Sequence, residues 1–211
     1  MRRLPIYLVL DVSGSMNGEP IEAVRNGLQL LVSTLRTDPY ALETAYLSLI
    51  TFDSQARQVV PLTELVGFQI PNLNAGSTTA LGAALKLTAD CIEREVQKSG
   101  AEAKGDWKPL VFLMTDGQPT DDWKPGLQEF RKTKTGVVVA CAAGPSADHS
   151  VLKEITDVVV SLDTADSSTI GAFFKWVSAS ISTSSKKVDL NKADTTQLSE
   201  LPPPPPEINL V

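Results

Sequence analysis

The stretch Ile6-Tyr7-Leu8-Val9-Leu10-Asp11-Val12-Ser13-Gly14-Ser15 decides the fold. Its first part is apolar without alternation, which suits a strand buried on both faces of a parallel sheet. The run stops at Asp11, where a Gly/Ser loop takes over. Residues two apart in an extended loop point the same way, so Asp11, Ser13 and Ser15 can aim three oxygens at one point. Gly14 lets the backbone turn with no side chain in the way. Carboxylate and hydroxyl oxygens are hard donors, suited to magnesium or manganese and not to zinc.

Working outward, Pro20 is well placed at the first turn of a helix. Ile21, Val24, Leu28, Leu31 and Leu35 recur there at helical spacing, and Asp38-Pro39 is expected to stop it. Thr44 to Phe52 is rich in β formers, and Ala56 to Leu62 reads as its antiparallel neighbour at a sheet edge. After an irregular stretch, Leu81, Leu85, Thr88, Ile92 and Val96 mark a second helix, with Gly100 as a stop. Leu110 to Met114 and Val137 to Ala142 are further apolar strands. A short helix is expected over Pro125 to Lys132, and Asp148 can cap another through Ile155. Val158 to Leu162 is a last strand, followed by an amphipathic helix carrying Ile170, Phe173, Phe174, Val177 and Ile181. Strands alternating with helices predict an α/β fold: a doubly wound, mostly parallel sheet with one antiparallel edge strand and helices on both faces.

The chain has 211 residues, enough for one such domain and little more. Its net charge of −6 and the absence of a basic stripe speak against nucleic acid as a ligand. Cys91 and Cys141 have no Cys or His neighbour at metal-ligand spacing and read as small buried hydrophobes. Arg2-Arg3 precede an apolar run too short for an export signal, and no apolar stretch approaches membrane-spanning length. The expectation is a cytoplasmic protein with no membrane insertion.

The character changes after Ser182. Serines, two lysines and a polar stretch lead to Pro202 through Pro206, a run that favours extended polyproline II chain. The expectation is a domain over residues 1–185 and a flexible proline-rich tail over 186–211 that can be removed with little loss of stability. Asp-Trp-Lys-Pro occurs at Asp106 to Pro109 and again at Asp122 to Pro125, flanking the Leu110 strand. This is too close for a repeat architecture; Trp123 is either a packing anchor or an interface anchor.

Two further groups carry chemistry. Thr115-Asp116-Gly117 follows the Leu110 strand. In a doubly wound sheet the strands on either side of the change of direction lie together, and their carboxyl ends form the crevice where ligands bind. That places Asp116 beside Asp11. Gly76-Ser77-Thr78-Thr79-Ala80-Leu81-Gly82 precedes a helix and offers more hydroxyls.

Asp-x-Ser-x-Ser after a strand, a threonine before a helix and Thr-Asp-Gly after another strand, in this order, resemble the metal-ion-dependent adhesion site of von Willebrand factor type A domains. The resemblance covers roughly residues 5–182. It implies Asp11, Ser13, Ser15, Thr79 and Asp116 as metal residues. Thr79 is chosen because Thr79 to Gly82 matches the usual Thr-x-x-Gly form; Thr78 is the neighbouring alternative. It also implies a partner protein whose Asp or Glu completes the shell of a Mg2+ or Mn2+ ion, without catalysis. More narrowly, Arg-Arg-Leu-Pro-Ile-Tyr-Leu-Val-Leu-Asp-Val-Ser-Gly-Ser-Met, the size and the proline-rich end resemble bacterial tellurite-resistance TerY-like proteins. That implies a stress-resistance system whose partners include other tellurite-resistance proteins or an associated kinase and phosphatase.

An enzyme is the alternative: a metal-dependent hydrolase or phosphatase using the Asp11/Asp116 crevice. An aspartyl phosphatase puts Asp-x-Asp after its first strand, whereas Ser13 stands at the second acidic position here. There is no Gly-Lys-Ser/Thr turn for a nucleotide. A serine nucleophile would need a histidine, and His149, which follows the fifth strand, reads as a loop or cap residue.

Overall fold

All eight residues of β1 (Leu4–Asp11) are buried, and they divide by parity. Leu4, Ile6, Leu8 and Leu10 enter one apolar core, Tyr7 and Val9 the other. A strand loses both faces to helices only when it lies inside a parallel sheet. In the computed structural model, which describes residues 2–100, 103–189 and 197–211, β1 pairs in parallel with β2 (Ala45–Phe52) on one side and β4 (Leu110–Thr115) on the other. Beyond β4 follow β5 (Val138–Ala143) and β6 (Val159–Leu162), also parallel. β3 (Ala56–Glu64) closes the β2 edge antiparallel. The order is β3-β2-β1-β4-β5-β6-β7, so direction changes between β1 and β4.

One core joins β1 to α1 (Glu19–Leu35), α2 (Pro39–Thr44) and α6 (Ser167–Asp189). Ile21, Val24, Leu28, Leu31 and Leu35 line it from α1, and Ile170, Phe173, Phe174, Val177 and Ile181 from α6. The other core lies under α3 (Leu81–Glu95), α4 (Trp123–Arg131) and α5 (His149–Ile155). Cys141 is buried in the first core and Cys91 in the second. Trp123 is half-buried against the second core, which favours its reading as a packing anchor. No helix among the described residues is long and apolar enough to cross a membrane.

The expected doubly wound, mostly parallel sheet with helices on both faces is present; one expectation needs extending and two details need correction. Asp38-Pro39 does more than end α1: the Asp38 carboxylate accepts the Tyr40 N–H at 3.0 Å and caps α2, with Pro39 in the first turn where its missing N–H costs nothing. The sheet has two antiparallel edges, because β7 (Asn209–Leu210) pairs with β6. Residues 186–211 are therefore not a solvated tail throughout. α6 continues to Asp189, and residues 197–211 return as a strap. Leu201 and Ile208 are buried in the first core, the Trp176 indole N–H donates to the Pro202 carbonyl at 2.8 Å, and Lys187 donates to that of Glu200. The polar stretch over 190–196 lies outside the described residues. The proline run hid this because its anchors are single apolar residues on either side of it, too sparse to show a period.

Candidate metal centre

The carboxyl ends of β1 and β4 sit side by side, so Asp11 and Asp116 lie at one crevice. Asp11 is the last residue of β1 and is 0% exposed. One of its oxygens accepts the Ser13 N–H at 2.7 Å, and the other accepts the Thr115 hydroxyl. The chain then turns through one 3-10 turn, Gly14–Met16, held down by the fully buried Met16. This turn brings the Ser13 and Ser15 hydroxyls to 3.0 Å, and Ser15 donates onward to Asp116 at 2.6 Å. A continuous chain of oxygens thus runs from Ser13 through Ser15 to Asp116.

The third segment is stitched to the first. Gly76 N–H donates to Val12 and Gly14 N–H to Ser77, both at 2.9 Å. A Cβ on Gly14 would sit 3.1 Å from the Ser77 carbonyl oxygen, so this close approach calls for glycine. Ser77 itself adopts φ +66°, which turns the chain toward α3. Thr79 then exchanges two hydrogen bonds with Thr120: its N–H donates to the Thr120 hydroxyl at 3.0 Å, and its carbonyl accepts the Thr120 N–H at 2.9 Å. Thr79 is buried, whereas Thr78 is exposed. Around Gly117, the Thr79 and Ser15 hydroxyls stand 3.6 and 3.7 Å from where a Cβ would be. The structure therefore gathers Asp11, Ser13, Ser15, Thr79 and Asp116 at one crevice, with Thr79 rather than Thr78 turned inward.

Sequence reasoning gave no role to several supporting residues. Thr115 donates to Asp11, and Thr120 holds Thr79. The Asp121 carboxylate accepts Gly82 N–H at 3.1 Å and Ala83 N–H at 3.0 Å, satisfying two orphan donors at the start of α3. The Thr-Asp-Gly triplet could have pointed to Thr115. The other two come from a loop with no periodicity and touch their targets only through the tertiary fold.

The electrostatics are uncompensated. Burial pushes the Asp11 carboxyl above the ordinary carboxylate range against the Ser13 and Thr115 donors, and the nearby Asp116 adds to this. Burial raises Asp116 as well, opposed by the Ser15 hydroxyl. Neither acid has an ion-pair partner among the described residues. Isolated buried carboxylates are costly and call for protons or a cation. Among the described residues, no three His, Cys, Asp or Glu side chains gather at one point. The donor set is thus two carboxylates and three hydroxyls, all hard oxygens, which fits a divalent cation of the magnesium type.

An open cleft of about 710 Å3 leads away from this crevice. Ser15, Asp116, Gly117 and Gln118 line one side, and Pro145 to Ser150 the other.

The family model of the von Willebrand factor type A domain matches residues 6–176, and the chain belongs to this family. The uncharacterized protein sll0103 of Synechocystis sp. (strain ATCC 27184 / PCC 6803 / Kazusa) is 34% identical over 124 residues, covering 56% of this chain and 26% of its own. The chain thus spans about a quarter of that relative's length. Among solved structures, proximal thread matrix protein 1 of the mussel byssus superposes with a TM-score of 0.65 at 20% identity, over 84% of this chain and 48% of its own. A form of that protein is described with a zinc-occupied MIDAS motif (TM-score 0.59, 22% identity, 84% of this chain and 46% of its own). The pilus adhesin SpaC from Lactobacillus rhamnosus GG superposes with a TM-score of 0.65 at 18% identity, over 87% and 30%. These likenesses establish the Rossmann-like fold; the adhesion and matrix roles are those of the neighbours.

Proposed function

We propose that this chain captures a partner protein through one divalent cation, Mg2+ or Mn2+. Asp11, Ser13, Ser15, Thr79 and Asp116 hold the cation, and an Asp or Glu of the partner completes its shell. The observation that carries this reading is the state of Asp11: fully buried, bonded only to neutral donors, and facing a second buried acid. A bound cation supplies the missing positive charge and a Lewis-acidic point for the partner's carboxylate. Ser13, Ser15 and Thr79 contribute neutral oxygens beside the two carboxylates, and five donor residues leave one of six octahedral positions for the partner's acid. The zinc-occupied motif of the mussel relative and the adhesin among the neighbours support the reading. Hard oxygen donors favour magnesium or manganese.

No catalysis is assigned. Ser15 gives its hydroxyl bond to Asp116 rather than to His149, so no serine–histidine pair is assembled. The setting we propose is cytoplasmic, in a bacterial tellurite or stress-resistance system, with other tellurite-resistance proteins or an associated kinase and phosphatase as partners. This rests on the resemblance of the first fifteen residues and the proline-rich end.

Metal and partner binding must be linked, each tightening the other by the same factor. Capture by the immobilised protein should be abolished by EDTA and restored by MgCl2 or MnCl2. Capture that persists after chelation overturns this reading.

A further inference from the structure

The cleft beside the crevice carries a second recognition element. Its far wall holds Asp148, whose Oδ1 accepts the Ser150 N–H at 2.9 Å, the Ser150 hydroxyl at 2.6 Å and the Val151 N–H at 3.3 Å. These donors hold the carboxyl below the usual range, led by the Ser150 hydroxyl. Among the described residues, the second oxygen, Oδ2, accepts no hydrogen bond and no lysine or arginine pairs with Asp148. Among the described residues, no lysine or arginine lines the cleft, and His149 stands beside Asp148 on that wall. The cleft is thus flanked by acidic groups at both ends, and only the crevice end has the donor set for a cation.

We infer that Asp148 reads a lysine or arginine of the partner next to the acid that enters the crevice, so the motif captured is a mixed acid–base segment and not a purely acidic one. This rests on the adhesion reading above. A purely acidic segment would satisfy the crevice and then set like charge against Asp148. A basic neighbour turns that repulsion into a charge-assisted contact at the rim, the kind of charge placement that sets specificity more than raw affinity.

The full chain is tested in MgCl2 against immobilised synthetic hexapeptides, each with one fixed Glu and varied flanking residues. The variants are Asp148→Asn and Asp148→Ser, whose side-chain oxygens still cap α5 while the charge is gone. Equal melting temperatures confirm that the cap is intact. Wild-type protein should retain peptides with Lys or Arg beside Glu over those with Asp or Ser there by about three- to fivefold, the scale of a partly exposed ion pair. Both variants should lose that preference while still needing Mg2+ for the Glu. Magnesium-dependent capture with no basic preference, or a preference unchanged in both variants, overturns this inference and leaves the adhesion reading standing. If no Glu peptide is retained in a magnesium-dependent way, both fall.

Discussion

The two ends of the sheet both bury acids, and they treat them in opposite ways. At the amino end of β1, the Asp106 carboxylate, 2% exposed, accepts the Arg3 guanidinium at 2.9 and 2.5 Å and the Gln97 N–H at 2.7 Å. Arg3 also lies over the Tyr46 ring, and Arg2 over Trp107. At the carboxyl end of the same strand, Asp11 and Asp116 have hydroxyls and amides but no cationic side chain among the described residues. The fold supplies positive charge where it needs stability. Where it withholds the charge, the buried acids are left uncompensated, which is the basis of the cation site proposed above.

The sharpest way to break this contrast is to remove a charge at each end. Asp11→Ala should lose nearly all Mg2+ affinity by isothermal titration. In the metal-free protein, losing an uncompensated acid offsets the stranding of two donors, the Ser13 N–H and the Thr115 hydroxyl, so the melting temperature should fall less than in Arg3→Ala. Arg3→Ala should do the reverse. It strands Asp106 in the interior and should cost about 2–3 kcal/mol, somewhat below the ~3–5 kcal/mol of a fully buried pair because Arg3 is partly exposed. Magnesium affinity should be kept. If Asp11→Ala destabilises as much as Arg3→Ala, the two ends are not different in kind.

Next in size is the strap. Deleting residues 197–211 removes Leu201 and Ile208 and uncovers the core surface they cover and the β6 edge. Burying two such side chains contributes about 3–5 kcal/mol before the ordering entropy of the strap is subtracted. A drop in melting temperature of about 5 °C is expected, with magnesium affinity unchanged. An unchanged melting curve would show that the strap is only laid against the domain.

The pH dependence is smaller and has a definite sign. Asp11 and Asp116 titrate above the ordinary carboxylate range in the folded, metal-free protein. The folded state therefore holds protons that the unfolded chain has already released, and metal-free stability falls as pH rises through that window. A cation competes with the same protons. The rise in melting temperature on adding MgCl2 should be larger at pH 7.5 than at pH 5, as read by scanning calorimetry; equal rises would place the cation elsewhere. The smallest expected effect is a discrimination between neighbours. Thr79→Ala should weaken magnesium measurably, and the exposed Thr78→Ala should not.

Much of this architecture was legible in the sequence because it is written in periods. The unbroken run Ile6 to Leu10 can belong only to a doubly covered strand, and the spacing of Ile21 to Leu35 fixes the face of α1. The adjacency of Asp11 and Asp116 followed from the sheet's change of direction. The roles of Thr120 and Asp121 did not, since side chain to backbone bonds across 41 and 39 residues leave no local trace. Nor did the strap, whose two anchors, Leu201 and Ile208, stand on opposite sides of a proline run that by itself reads as solvated chain.

α3 and α4 meet through Gly82 and Gly126, so closely that a Cβ on Gly126 would lie 2.0 Å from the Gly82 carbonyl oxygen. Thr79 hangs from the start of α3, and the Asp116 loop runs directly into α4. The Thr79 and Asp116 sides of the crevice are thus carried on two helices in close backbone contact, so their spacing should change little. Little configurational freedom remains there to be lost when a ligand arrives, so association at this crevice should proceed as docking onto a preformed seat. In solution this would register as slow amide exchange at Gly82 and Ala83, already protected by Asp121 before any ligand is added.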